Sequence, residues 1–101
     1  MDKDRQNLNE ETIHTVAQIF KALSDPTRIK ILSLLCAGEL PVNELAEAVG
    51  LTQSAVSHQL RLLKTIRLVK YRREGTSLHY SISDEHVINL LKQTIEHARH
   101  Q

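Results

Sequence analysis

Four residues near the end of the chain share one chemistry: Asp84, His86, His97 and His100 offer a carboxylate and three imidazoles in the order D-x-H, then H-x-x-H. These are oxygen and nitrogen donors of the kind zinc takes. The stretch from Asp84 to Arg99 reads as a helix, which turns the spacing into geometry. His86 and His97 are eleven residues apart. Eleven steps of about 100° return a side chain to nearly the same face, about 16 Å further along the axis. His97 and His100, at i and i+3, are neighbours on that face. Zinc–nitrogen bonds are only about 2.0–2.1 Å long, so one chain cannot close all four ligands on one ion. A second helix packed antiparallel across a two-fold axis would set Asp84 and His86 of one chain beside His97 and His100 of the other. The expectation is a homodimer with two symmetric four-ligand sites, two metal ions per dimer, zinc with cobalt as the alternative. A solvated helix face is the competing reading. The helix dipole favours cations near a C-terminus, which would account for one such histidine but not for three with an aspartate at dimer-closing spacing.

The elements that must position these residues follow from the rest of the chain. Its 101 residues suffice for one small domain, and it has no Trp, one Phe and two Tyr. A core of Leu, Ile, Val and Ala suits a helical protein, and at this size dimerisation is a natural supplement. No apolar run approaches the roughly 20 residues of a membrane span. The polar start, MDKDRQNLNEET, is not a signal peptide, and residues 1–8 are expected to be disordered. The single cysteine, Cys36, gives no disulfide framework, so the expected compartment is the reducing cytoplasm.

Ile13, Val16, Ile19, Phe20 and Leu23 mark a helix over residues 9–23, with Asn9 as a cap. Asp25 followed by Pro26 starts a second helix that Gly38 ends. Pro41 to Val49 reads as a short helix closed by Gly50. Thr52 caps a fourth helix running to Lys64. The period then changes to two over residues 68–82, with Gly75 in the turn of a hairpin. Ser83 or Asp84 caps the last helix. The fold class expected is mainly α with a β-hairpin: a homodimeric winged helix-turn-helix, with the helix-turn-helix at 41–64, the wing at 68–82 and dimerisation helices at 9–23 and 84–100.

Net charge is +1, but its distribution is uneven. From Thr52 to Arg73 there are six basic residues and no acid, which leaves seven basic and twelve acidic groups elsewhere. A basic block on an acidic body is the footprint of a nucleic-acid-binding face. On the fourth helix Gln53 and Gln59 suit an adenine edge, and Arg61 a guanine edge or a phosphate. Ser54 and Ser57 suit phosphates. His58 and Lys64 complete that face. In the wing, Lys70, Arg72 and Arg73 suit phosphates or a narrow minor groove. The expected partner is double-stranded operator DNA, with no membrane and no small-molecule substrate. His14 and His79 have no partner visible in sequence and read as structural or solvated.

Three stretches, FKALSDPTRIKILSLL, ELAEAVGLTQSAVSHQLRLLK and LVKYRREGTSLHYSI, resemble the ArsR/SmtB family of bacterial metal-responsive repressors. The resemblance covers about Thr12 to His100. It implies a homodimeric winged helix that represses transcription and leaves DNA when metal binds. It is greatest to members that sense zinc or cobalt through D-x-H…H-x-x-H on the last helix, matched here by Asp84, His86, His97 and His100. Other members carry thiolates ahead of the recognition helix, where this chain has Pro41 and Asn43. Persulfide sensors need two cysteines, and Cys36 reads as core. Nickel sensors add ligands from a C-terminal extension, whereas this chain ends at Gln101. Four ligands favour tetrahedral zinc. The resemblance also implies control of efflux or resistance genes. As a coupling device, the free ring N–H of His97 is expected to reach a backbone carbonyl near Arg67. The alternative is a winged-helix regulator governed by a non-metal ligand or a partner protein. A zinc enzyme is not expected, since four protein ligands leave no open position.

Overall fold

A computed structural model describes residues 8–100. The expectation of disorder at the N-terminus concerns residues that lie, Leu8 apart, outside those described. The order of elements is α1 (Glu10–Leu23), α2 (Pro26–Leu35), β1 (Leu40–Pro41), α3 (Val42–Val49), α4 (Gln53–Thr65), β2 (Val69–Glu74), β3 (Ser77–Ile82) and α5 (Glu85–Arg99).

Local cap chemistry sets most of the helix starts. The Asn9 side chain accepts from the Thr12 N–H, that of Asp25 from Arg28 and that of Thr52 from Ala55. Each satisfies an N–H that has no partner within its helix. Gly50 closes α3 at φ 75°, a left-handed conformation that costs other residues more. Leu51 N–H returns to the Ala46 carbonyl at 3.0 Å, so α3 and α4 are joined by a tight turn.

One boundary differs from the sequence reading. Pro41 is not the first residue of α3. With φ −75° and ψ 157° it is extended, and Leu40–Pro41 pairs antiparallel with β3, Leu40 opposite Tyr80 and Pro41 opposite His79. The expected two-stranded hairpin is therefore a three-stranded sheet in the order β1-β3-β2. An isolated hairpin is marginal in water, and the added strand anchors this one to the start of the helix-turn-helix.

The core gathers Ile31, Leu32 and Leu35 of α2, Leu45 of α3, Val56, Leu60 and Leu63 of α4, Val69 and Tyr80 of the sheet, and Ile88 and Leu91 of α5. Only the end of α1 joins it, through Ala22 and Leu23. Ile13, Val16 and Phe20 stay exposed, Phe20 at 56 %. Phe20 lines an apolar groove between α1 and α5 with Leu23, Leu90, Leu91, Ile95 and Ala98. The described chain is elongated, 51 × 35 × 20 Å, with a radius of gyration of 15.3 Å; a compact chain of this length would give about 13 Å. No helix among the described residues is long and apolar enough to cross a membrane.

Candidate metal half-sites and nucleic-acid face

The four candidate ligands occupy the two ends of α5. Asp84 is its N-cap and His100 its C-cap. Asp84 Oδ1 accepts from the backbone N–H groups of His86 at 2.7 Å and Val87 at 3.2 Å. His86 Nδ1 lies 3.4 Å from the same oxygen. Both capping bonds fall on Oδ1, which leaves Oδ2 outside the cap. The Val87 N–H holds the Asp84 carboxyl below the usual carboxylate range; burial opposes this, and the His86 N–H and imidazole add to it. Asp84 is thus an anion at neutral pH, as a metal ligand must be. The His86 side chain is 99 % exposed.

At the other end His97 and His100 are exposed in the last turn, and the His100 N–H donates to the His97 carbonyl at 3.2 Å. His100 Nε2 stands 3.0 Å from Glu96 Oε1. The chain brings Asp84 together with His86 at one end and sets His97 and His100 one turn apart at the other, but does not bring the two pairs to each other. Among the described residues no group of three or more His, Cys, Asp or Glu is placed to hold a metal ion. The donor set of each end is open to solvent and chemically fits half of a tetrahedral nitrogen/oxygen site.

Along α4, Gln53, Ser54, His58, Arg61 and Lys64 are exposed to solvent. Lys64 Nζ sits 5.4 Å from the centroid of the Tyr71 ring, which leans on Tyr80. The end of α4 is thereby fastened to β2. Two α4 residues are placed differently from the sequence reading. Ser57 is half-buried, in a cleft that Gln53, Asn43 and the wing residues Thr76 and Ser77 also line. Gln59 is half-buried, and its Oε1 accepts from Arg28 Nε at 2.8 Å, so the acceptor expected to read a base is occupied by α2. Arg28 was not legible as its partner, because the pair is 31 residues apart.

In the wing Lys70 and Arg73 are exposed. Arg72 is exposed too, but its guanidinium meets the Glu39 carboxylate at 2.9 and 3.0 Å. His79 is not simply solvated: half-buried on β3, its Nε2 is 3.4 Å from Glu74 Oε1. His14 is exposed on α1 and lines a cleft against Leu62 and Ile66. Cys36 packs, half-buried, against the core.

A helix-turn-helix followed by a β2–β3 wing that pairs back onto β1, with exposed cations on both α4 and the wing, defines the class: a winged helix-turn-helix regulator of transcription, not an enzyme. Residues 25–71 match the family described as "Bacterial regulatory protein, arsR family". The chain is 49 % identical over 84 residues to "Transcriptional repressor SmtB homolog" of Synechocystis sp., covering 83 % of this chain and 64 % of that protein. It is 47 % identical over 93 residues to "HTH-type transcriptional regulator NmtR" of Mycobacterium tuberculosis, covering 92 % and 78 %. Among solved structures it is similar to a homodimeric winged helix-turn-helix DNA-binding domain from Mycobacterium bovis, with TM-score 0.81, 34 % identity and coverage of 92 % and 89 %. The chain belongs to the ArsR/SmtB family of metal-responsive repressors.

Proposed function

We propose that the protein is a cytoplasmic homodimeric repressor that binds operator DNA without metal and releases it when zinc, or cobalt in its place, occupies two sites between the subunits. One observation carries this reading. The candidate ligands sit at opposite ends of α5, the three histidines exposed and Asp84 half-buried, and between them the helix lines an apolar groove that a single chain leaves open. Packing α1 and α5 against their counterparts across a two-fold axis covers Phe20 and Leu90 and joins each Asp84–His86 pair to a His97–His100 pair.

Asp84 would bind through Oδ2 while Oδ1 keeps capping α5, so ligation and helix stability do not compete. Bound zinc supplies only a crosslink between subunits. The rest is done by the chain. The crossing of the two α5 helices sets the distance between the two α4 helices, and hence their fit to successive major grooves. The ring N–H that His97 does not use as a ligand would donate to a backbone carbonyl near Arg67. That residue lies at the junction of α4 and β2, in a left-handed turn at φ 64° with its N–H on the Lys64 carbonyl at 2.9 Å. A shift there moves the end of α4 and the start of the wing together. By linkage, DNA must weaken zinc binding by the factor by which zinc weakens DNA binding.

Gln53, Ser54, His58 and Arg61 would meet the major groove, with Ser57 at its margin and Lys64, Lys70 and Arg73 on phosphates. Efflux or resistance genes are the proposed targets, an inference from the metal-sensor relatives. The test is fluorescence anisotropy on a DNA fragment selected by the protein from a random library, without metal and with zinc, cobalt or nickel. Zinc should release DNA from the wild type but not from His97→Ala. Unchanged DNA affinity at saturating zinc would favour a regulator governed by another ligand.

A further inference from the structure

Arg72 stands in the basic block, yet its geometry differs from that of Lys70 and Arg73. On β2 it lies opposite His79 of β3, and His79 in turn lies opposite Pro41 of β1. The three residues form one row across the sheet. Side chains alternate along a strand, so Glu39, two residues before Pro41, projects on the same face as that row. There the Arg72 Nε donates to both Glu39 carboxylate oxygens, at 3.0 and 2.9 Å, and Nη2 lies 2.9 Å from Oε1. Glu74 Oε2 adds a contact at 3.6 Å to Nη1. The fork of the guanidinium is thus turned toward two carboxylates of its own chain. Lys70 and Arg73 have no carboxylate partner among the described residues.

We propose that Arg72 is a strut and not a phosphate contact: with Glu39 it ties the outer strand of the wing to the foot of the helix-turn-helix and fixes the angle at which Lys70 and Arg73 meet the DNA backbone. The inference rests on the DNA-binding role above and goes beyond it. It makes an acidic residue a supporter of DNA binding. An unpaired acid beside a polyanion repels it, so neutralising one ordinarily strengthens binding. Here Glu39→Gln frees the wing, and binding weakens. The sign of that one change separates the two roles.

The experiment uses the full-length metal-free dimer and the selected DNA fragment, with anisotropy titrations over a range of salt. It compares wild type, Glu39→Gln, Arg72→Gln and the double variant. Each single change should lower affinity about two- to five-fold, the scale of an exposed but bidentate ion pair. The double variant should lose no more than either single one. Zinc affinity should be the same in all four, which a general loss of folding would not allow. The slope of log K against log salt should stay near that of the wild type. A strengthening by Glu39→Gln would overturn the strut, as would additive losses or no change in any variant. So would a slope flattened by Arg72→Gln by about 0.9 per lost phosphate contact, or about 1.8 per dimer. These outcomes remove the strut alone, whereas failure of the wild type to bind DNA removes the proposed function itself.

Discussion

Replacing Phe20 by alanine should dissociate the dimer while leaving each subunit folded. Phe20 is 56 % exposed in the single chain, and an aromatic residue presents about 200 Å². About 110 Å² is therefore left for a partner to cover. At about 25 cal/mol per Å², full coverage is worth about 3 kcal/mol. Alanine keeps part of that area, and association recovers only part of the transfer energy, so about 2 kcal/mol per subunit is a fair expectation. Two copies give about 4 kcal/mol, or about a thousand-fold weaker dimer. Sedimentation equilibrium over a concentration series measures this directly, with circular dichroism to show that the helices persist. Leu51→Ala is the control, since Leu51 is 43 % exposed in the turn between α3 and α4 and does not line the groove in which Phe20 sits. A Phe20→Ala dimer within about three-fold of wild type, or an equal loss with Leu51→Ala, would refute the assignment of the α1–α5 face as the interface.

Other expectations follow from the same geometry. Asp84→Asn should weaken zinc binding yet keep α5 capped, because asparagine caps as well as aspartate, whereas Asp84→Ala should lose both zinc affinity and thermal stability; equal melting temperatures for the two variants would contradict the capping role. The capping bonds lower the folded-state pKa of Asp84, so their stabilisation is fully present above the ordinary carboxylate pKa and is lost as pH falls through the lowered folded value. Urea unfolding between pH 6 and pH 2 should show the wild type losing stability relative to Asp84→Asn, and parallel curves would count against it. Gln59→Leu should destabilise the metal-free protein by about 1–2 kcal/mol, by leaving the half-buried Arg28 Nε without its acceptor. Its effect on DNA affinity should be the same for every base at a given operator position; a loss confined to one base pair would restore Gln59 as a base reader.

The parts of the fold visible in the sequence are those governed by neighbours. Asn9, Asp25–Pro26, Thr52 and Asp84 act within three residues of themselves, and each caps the helix expected. The left-handed Gly50 and the period of the wing are equally local. What escaped is long-range and polar. The pairing of Leu40 with Tyr80 leaves no periodic signal in a strand of two residues. Arg28 with Gln59 and Arg72 with Glu39 are 31 and 33 residues apart, and nothing in composition distinguishes them from solvated side chains. That is why Gln59 and Arg72 read, from sequence, as free polar side chains. The stripe of Ile13, Val16 and Phe20 was legible as an apolar face, but period alone does not say whether a core or a second copy covers it. The four candidate ligands were legible by type and spacing; that Asp84 caps α5 with one oxygen and leaves the other aside required the structure.

The claim that each metal site is shared between subunits can be tested by mixing two inactive proteins. Asp84→Asn/His86→Ala keeps only the His97–His100 half-site, and His97→Ala/His100→Ala keeps only the Asp84–His86 half-site. Neither should bind zinc tightly alone, and co-refolding the two should create one complete site in every mixed dimer. Cobalt absorption and zinc competition on the re-purified mixed dimer should report one tight tetrahedral site per dimer. A mixed dimer that binds no more metal than its parents, or either parent alone binding at wild-type affinity, would contradict the shared site.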